Sequence, residues 1–125
     1  STIGHKLIVT QAGGDRANHV LDFAEEHWGL AIHRMTAEEH DRLMAQVHVL
    51  TFFIARGLSN LDLATSPFIT PSYSMITDLI TFNRTHSDDL FKTIQEGNPY
   101  ADEMREHVVR VFADLESSLK KEERE

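Results

Sequence analysis

Cysteine is absent from the 125 residues of this chain, which excludes an internal disulfide framework and a thiolate zinc site. Basic residues are also scarce: the chain has 12 lysines and arginines and 20 acidic residues, which gives a formal net charge of −8. That sign disfavours nucleic acid or an anionic membrane as a partner. No apolar run approaches the roughly 20 residues that cross a bilayer. We therefore expect a cytoplasmic protein with no nucleic-acid or membrane partner.

Two active-site motifs are missing as well. No GxGxxG follows a predicted strand, so we expect no NAD or NADP to bind to this chain alone. There is no HExxH, and His40 and His48 lie about 12 Å apart by helix rise, too far to share an ion. We therefore expect no metal site, although the chain has eight histidines.

The chain is organised around the stretch from Met35 to Gly57. Thr36 and Glu39 have the spacing of a capping box, which predicts that a helix starts there. Gly57 predicts its end, because glycine readily adopts the left-handed conformation that terminates helices. The second half of this helix is apolar on almost every side, a pattern typical of a helix at the centre of a core.

His48 and Thr51 interrupt that apolar half, and their spacing of three puts them on one face. Two interpretations stay open. In the structural one they are a satisfied pair, with the Thr51 hydroxyl bonded back to the preceding turn. In the functional one they line a substrate cleft. Both predict that His48 lies in apolar surroundings, where a charge would be costly to desolvate.

The residues before this helix have the pattern of one βαβ unit. We predict a strand over His5–Thr10, a helix over Arg16–Trp28 that Asp15 caps and Gly29 ends, and a second strand over Leu30–Met35. Since a stable sheet normally needs three or more strands, the first 35 residues are expected to be the end of an α/β domain.

Helical signals follow the central stretch to the end of the chain. After a connector at Leu58–Pro71, three more helices are predicted. The first is capped by Ser72 and runs to about Phe82, the second is capped by Ser87 and stops at Gly97, and the last is capped by Asn98 with Pro99 at its first position. The last helix carries an apolar stripe at spacings of three and four: Ala101, Met104, Val108, Val111, Leu115 and Leu119. That stripe is long enough to pack on a partner chain as well as on its own core.

Several short motifs occur in a characteristic order. They are Trp28-Gly29, Met35-Thr36-x-Glu38-Glu39-His40-Asp41, Ser66-Pro67, and Asp89-Leu90-Phe91 followed by Asn98. In this order the chain resembles the prephenate/arogenate dehydrogenases of tyrosine biosynthesis, and the later motifs resemble the plant-type arogenate enzymes. The resemblance implies a mainly α fold, in which residues 36–125 form a helical dimerisation domain. Residues 1–35 would be the β-α-β remnant of a Rossmann-type nucleotide-binding domain.

The resemblance also implies a function. The intact enzyme would be an oxidoreductase that oxidises and decarboxylates prephenate or arogenate with NAD or NADP, and it would be a homodimer. The catalytic histidine and the cofactor-binding residues of the family would lie outside this chain. The substrate-binding candidates here are His48, Thr51, Tyr73 and Arg84. Bacterial relatives carry a carboxylate-binding arginine in the helix matching Ser74–Phe82, and the nearest one here is Arg84.

Other interpretations of these residues remain open. Tyr73 suits a packed aromatic side chain, and Arg84 suits a solvated loop. The whole chain is alternatively a stand-alone helical dimerisation or interaction module without catalysis, or a small helical metal or ligand binder. The βαβ unit favours the dehydrogenase, because a stand-alone helical module does not need it.

Overall fold

A computed structural model describes residues 6–10, 15–29 and 31–124. These residues are mainly helical, as the sequence predicts. The chain divides into two compact units, Ser1–Arg42 and Leu43–Glu125. The division lies within a helix, whereas the sequence predicts a domain boundary between residues 35 and 36, which stays a prediction.

The first unit contains the predicted strand, helix and strand. They are β1 (Lys6–Thr10), α1 (Asp15–Trp28) and β2 (Ala31–Met35). The two strands pair in parallel, with Lys6 opposite Ala31 and Thr10 opposite Met35. His5 and Leu30, which the prediction included, lie outside the described residues.

Helix α1 ends just before a glycine, as predicted. Gly29 has a φ of 65°, in the left-handed region where a side chain would be strained, so the helix stops at Trp28. Arg34 of β2 donates to Asp22 of α1 at 3.0 Å across the crossover. Val20, Phe23 and Trp28 are exposed, so α1 presents apolar side chains to solvent.

The predicted capping box is present at the start of α2 (Ala37–Met44). The backbone N–H of Glu39 donates to Thr36 Oγ1 at 3.1 Å, and the N–H of Thr36 donates to Glu39 Oε2 at 3.0 Å. Two backbone donors that have no partner within the helix are therefore satisfied by side chains.

We expect Thr36→Ala to lower the free energy of unfolding by about 1 kcal/mol, the usual cost of losing an N-cap hydroxyl. Urea denaturation followed by circular dichroism measures this change. Thr36→Ser, which keeps the hydroxyl, serves as the control and should unfold close to the wild type. An alanine variant with an unchanged midpoint would show that the cap contributes nothing.

A π-helical segment (Ala45–Val49) and α3 (Leu50–Ser59) follow α2 in the sequence. The prediction that the helix ends at Gly57 is wrong: α3 continues to Ser59, and it ends with the N–H of Asn60 bonded to preceding carbonyls, without a left-handed glycine. The π turn, in which the N–H of Leu50 reaches Ala45 O, was not predicted.

The expectation that this helix is buried on every side is also wrong. The buried residues recur at spacings of three and four and lie on one face: Ala45, Val49, Phe52 and Ala55. Val47 is 46% exposed and His48 is exposed. The helix therefore has apolar residues on both its buried and its exposed face. Apolar composition alone does not show which face is buried.

Three further helices complete the second unit: α4 (Pro71–Arg84), α5 (Asp88–Gly97) and α6 (Ala101–Arg124). Ser87 caps α5 as predicted, accepting the N–H of Leu90 at 3.1 Å. Ser72 is not the cap of α4, because the hydroxyl of Thr70 takes that role. The last helix begins at Ala101, after a turn in which Asn98 Oδ1 accepts the N–H of Tyr100.

The core of the second unit forms where the π-helical segment meets α5 and α6. Ala45, Val49 and Ala101 are each at most 2% exposed, and Ile94 and Met104 pack against them. Small residues at this point let the helices approach closely. Within the described ranges, the helices lack the combination of length and apolar character that a membrane crossing requires.

Candidate functional site

Tyr73 is held in the first turn of α4 by the Thr70 cap. Its N–H donates to Thr70 Oγ1 at 3.1 Å, and Pro71 occupies the first helical position, where no N–H is needed. Thr77, Thr81 and Arg84 follow Tyr73 at intervals of four, four and three residues. Such spacing puts their side chains on one side of the helix.

The connector between α3 and α4 forms a cleft with that side of α4. The cleft has a volume of about 230 Å³, and the connector contributes Leu63, Ser66 and Ile69 to its walls. Ser66 lies in a tight turn, in which its Oγ accepts the N–H of Phe68 at 3.1 Å. Both apolar side chains and hydroxyl groups line the cleft, a combination that suits a small ligand with a carbon ring and polar substituents.

Arg84 alone carries a charge among the described residues that line this cleft. It is the last residue of α4 and is exposed, so its guanidinium is accessible to solvent. A guanidinium offers a planar fork of donors that matches a carboxylate. Two of the residues that the sequence singles out, Tyr73 and Arg84, thus line the same cleft, one near each end of α4.

His48 and Thr51 do not line this cleft. His48 borders a separate cleft of about 270 Å³, whose other walls include Met44, Ile94 and Asn98. Its ring stands edge-on to Phe52, with 6.4 Å between ring centroids. The shielding that the apolar neighbours of His48 predict is wrong, since the residue is exposed. Its position at the edge of a cleft is the one that the functional interpretation expects, and its role there stays a prediction.

Thr51 forms the local bond expected of its structural interpretation. Its hydroxyl donates to the carbonyl of Val47, one turn earlier, at 2.7 Å. Thr51 lines none of the clefts described here. Three of the four substrate-binding candidates therefore line clefts, Tyr73 and Arg84 one and His48 another, whereas Thr51 lines neither.

A network around Arg56 was missed in the sequence. Its Nε donates to Asn83 Oδ1 at 3.0 Å, and Nη2 donates to Asp88 Oδ1 at 2.9 Å. The guanidinium carbon also lies 4.2 Å from the ring centroid of Phe91, which is cation–π geometry. One signal in the sequence could have indicated this network: Arg56 is a single cation on an otherwise apolar helix, and a cation that packs against other helices requires polar or charged partners.

A second network surrounds Gln95, which is only 7% exposed. Its Nε2 donates to the carbonyl of Val49 at 3.1 Å, and its Oε1 accepts from Arg105 at 2.8 Å. Arg105 is in turn paired with Asp102. The buried amide therefore ties α5 to both the π-helical segment and α6, and its polar atoms are satisfied.

Over the part of the chain that the structure describes, no group of three or more histidine, aspartate or glutamate side chains is arranged to hold a metal ion. Comparison with known proteins finds no matching family model and no curated protein with a matching sequence.

Proposed function

We propose that this chain is the C-terminal portion of a prephenate or arogenate dehydrogenase, the NAD(P)-dependent enzyme of tyrosine biosynthesis. In this proposal the helical unit supplies the dimer interface and part of the substrate pocket. The single observation that carries the proposal is the cleft that Tyr73 and Arg84 share, because a phenol and a guanidinium suit a cyclic carboxylic acid.

The order of the elements supports the same proposal. Parallel strands β1 and β2 are joined through α1, which is the crossover unit of nucleotide-binding domains. A parallel pair is normally buried within a larger sheet, and the exposed apolar residues of α1 are consistent with further cover. The capping box of Thr36 and Glu39 then begins the helices, as in the family's order.

The residues of this chain do not fit a dinucleotide. The segment between β1 and α1 reads Gln11-Ala12-Gly13-Gly14, which is not the glycine-rich turn that receives a pyrophosphate. In this proposal the cofactor is therefore bound by other parts of the intact enzyme. The contribution of this chain is to bind and orient the substrate.

In the proposed complex Arg84 grips a carboxylate of the substrate at the end of α4. Leu63, Ile69 and Ile80 surround the ring, and the Tyr73 hydroxyl offers a hydrogen bond at the start of the helix. An ion pair with Arg84 and a ring packed among apolar side chains limit the rotation of the bound substrate, which lowers the entropic part of the barrier to reaction.

We expect Arg84→Ala to lower kcat/KM of the intact enzyme about 10- to 100-fold, because it removes a charge-assisted hydrogen bond to the substrate. The assay follows NAD(P)H formation with prephenate or arogenate, using a polypeptide that includes the nucleotide-binding residues. Arg110→Ala is the matched control, since Arg110 is an arginine on α6 outside this cleft. Equal losses in both variants, or no turnover by the unsubstituted enzyme, would contradict the proposal.

The second candidate is a helical dimerisation module without catalysis. The observation that favours it is the exposed apolar face of α6, where Val111, Leu115 and Leu119 are about half exposed. The dehydrogenase proposal also includes a dimer, so oligomeric state does not distinguish the two. Substrate turnover does, because the module predicts none.

A further inference from the structure

Arg56 joins three helices through one side chain. It belongs to α3, its hydrogen-bond partner Asn83 lies in the last turn of α4, and its ion-pair partner Asp88 begins α5. The side chain of Arg56 is 29% exposed, whereas that of Asp88 is 81% exposed. The Asn83 contact is therefore the better shielded of the two, and it is the one that continues into the helix interface.

Asn83 is held on both sides of its amide. Its Oδ1 accepts from Arg56, and its Nδ2 donates to Ser59 Oγ at 3.1 Å. The Ser59 hydroxyl donates in turn to the carbonyl of Ala55 at 3.0 Å. Both partners of Asn83 belong to α3, so α3 restrains the rotation of the last turn of α4 about its own axis.

Arg84 directly follows Asn83 and is the charged residue of the cleft. A rotation of the last turn of α4 would move the start of the Arg84 side chain, and the tip would move further. Displacing a binding group by 1 Å can cost roughly 100-fold in rate. The orientation of Asn83 therefore matters for the position of the guanidinium of Arg84.

We propose that Arg56 is a positioning residue for the cleft: it holds Asn83 and thereby directs Arg84 toward the carboxylate of the ligand. This inference rests on the proposed function for its substrate. Lysine cannot replace Arg56, because a single ammonium lacks the planar fork that reaches Asn83 and Asp88 while stacking on Phe91.

The first test is kinetic. Arg56→Lys keeps the charge, and we expect it to raise KM for prephenate or arogenate on the order of tenfold, less than the roughly 100-fold that a 1 Å displacement can cost. KM for the dinucleotide should not change, and the effect should disappear in an Arg84→Ala background. Arg105→Lys is the control, because it changes the other guanidinium network of the helical unit. Equal effects of Arg56→Lys with and without Arg84 would overturn the positioning role.

The second test separates this inference from the proposed function. Amide hydrogen exchange of this chain, followed by NMR, measures how firmly the last turn of α4 is held. We expect Arg56→Lys to reduce protection at Asn83 and Arg84 at least severalfold, and to leave the central turns of α6 unchanged. Unchanged protection at Asn83 and Arg84 would overturn the positioning role, whether or not the intact enzyme oxidises these substrates.

Discussion

Replacing Phe52 with alanine is expected to lower the free energy of unfolding of the helical unit by about 3–5 kcal/mol, the usual cost of removing a buried phenyl ring. Phe52 is only 7% exposed. Its ring meets the edges of Phe82 and His86, each with 5.0 Å between centroids. Alanine would leave a cavity between α3 and the end of α4, and would remove two aromatic contacts as well.

Phe68→Ala is the matched control. Phe68 is 87% exposed on the connector, so the same substitution there should change the free energy of unfolding by no more than about 0.5 kcal/mol. Urea denaturation should be followed by circular dichroism at a helical wavelength. Circular dichroism is chosen because the only tryptophan, Trp28, belongs to the other unit. Similar losses in the two variants would show that Phe52 is not part of a packed core.

The features that the sequence predicts correctly are those set by neighbouring residues. The Thr36–Glu39 capping box and the Ser87 cap depend on contacts three residues apart. The left-handed conformation of Gly29 likewise follows from a requirement at one position. None of these features depends on the helix or strand that packs against it, so the local sequence is enough to predict each one.

The sequence predicts helix ends poorly where two residues could take the same role, or where a helix could either stop or continue. Thr70 and Ser72 both suit a cap, and the position of Pro71 at the first turn decides for Thr70. Gly57 has helical neighbours on both sides, and the helix continues through it to Ser59. A glycine therefore ends a helix only where the residues after it gain no packing by staying helical.

The candidate site was predicted in part for the same reason. Tyr73 and Arg84 lie three helical turns apart on one helix, so their common side follows from helix periodicity. His48 lies within the π-helical segment Ala45–Val49, and a π turn changes the angular spacing on which a prediction of its face depends. The Arg56 network joins residues 27 and 32 positions apart, and no local pattern indicates such a pair.

The last expectation concerns α6, whose 24 residues extend about 36 Å. Its first turns pack on the core through Ala101 and Met104, whereas every described residue from 109 to 121 is exposed. An isolated helix shorter than about 12–15 residues is only marginally stable in water, and the stretch 109–121 that lacks packing is about that long. Packing two copies along Val111, Leu115 and Leu119 would cover this face, so we expect the chain to form a homodimer.

Leu115→Glu should convert that dimer into a monomer, because it places a charge in the middle of the apolar face and leaves it unpaired on association. Light scattering at micromolar concentration should give twice the chain mass of 14.3 kDa for the wild type and 14.3 kDa for the variant. Ser117→Glu adds the same charge two residues away, on the opposite side of α6, and should remain dimeric. A wild-type mass of 14.3 kDa would contradict the dimer, and dissociation of both variants would show that charge on α6 matters more than the apolar face.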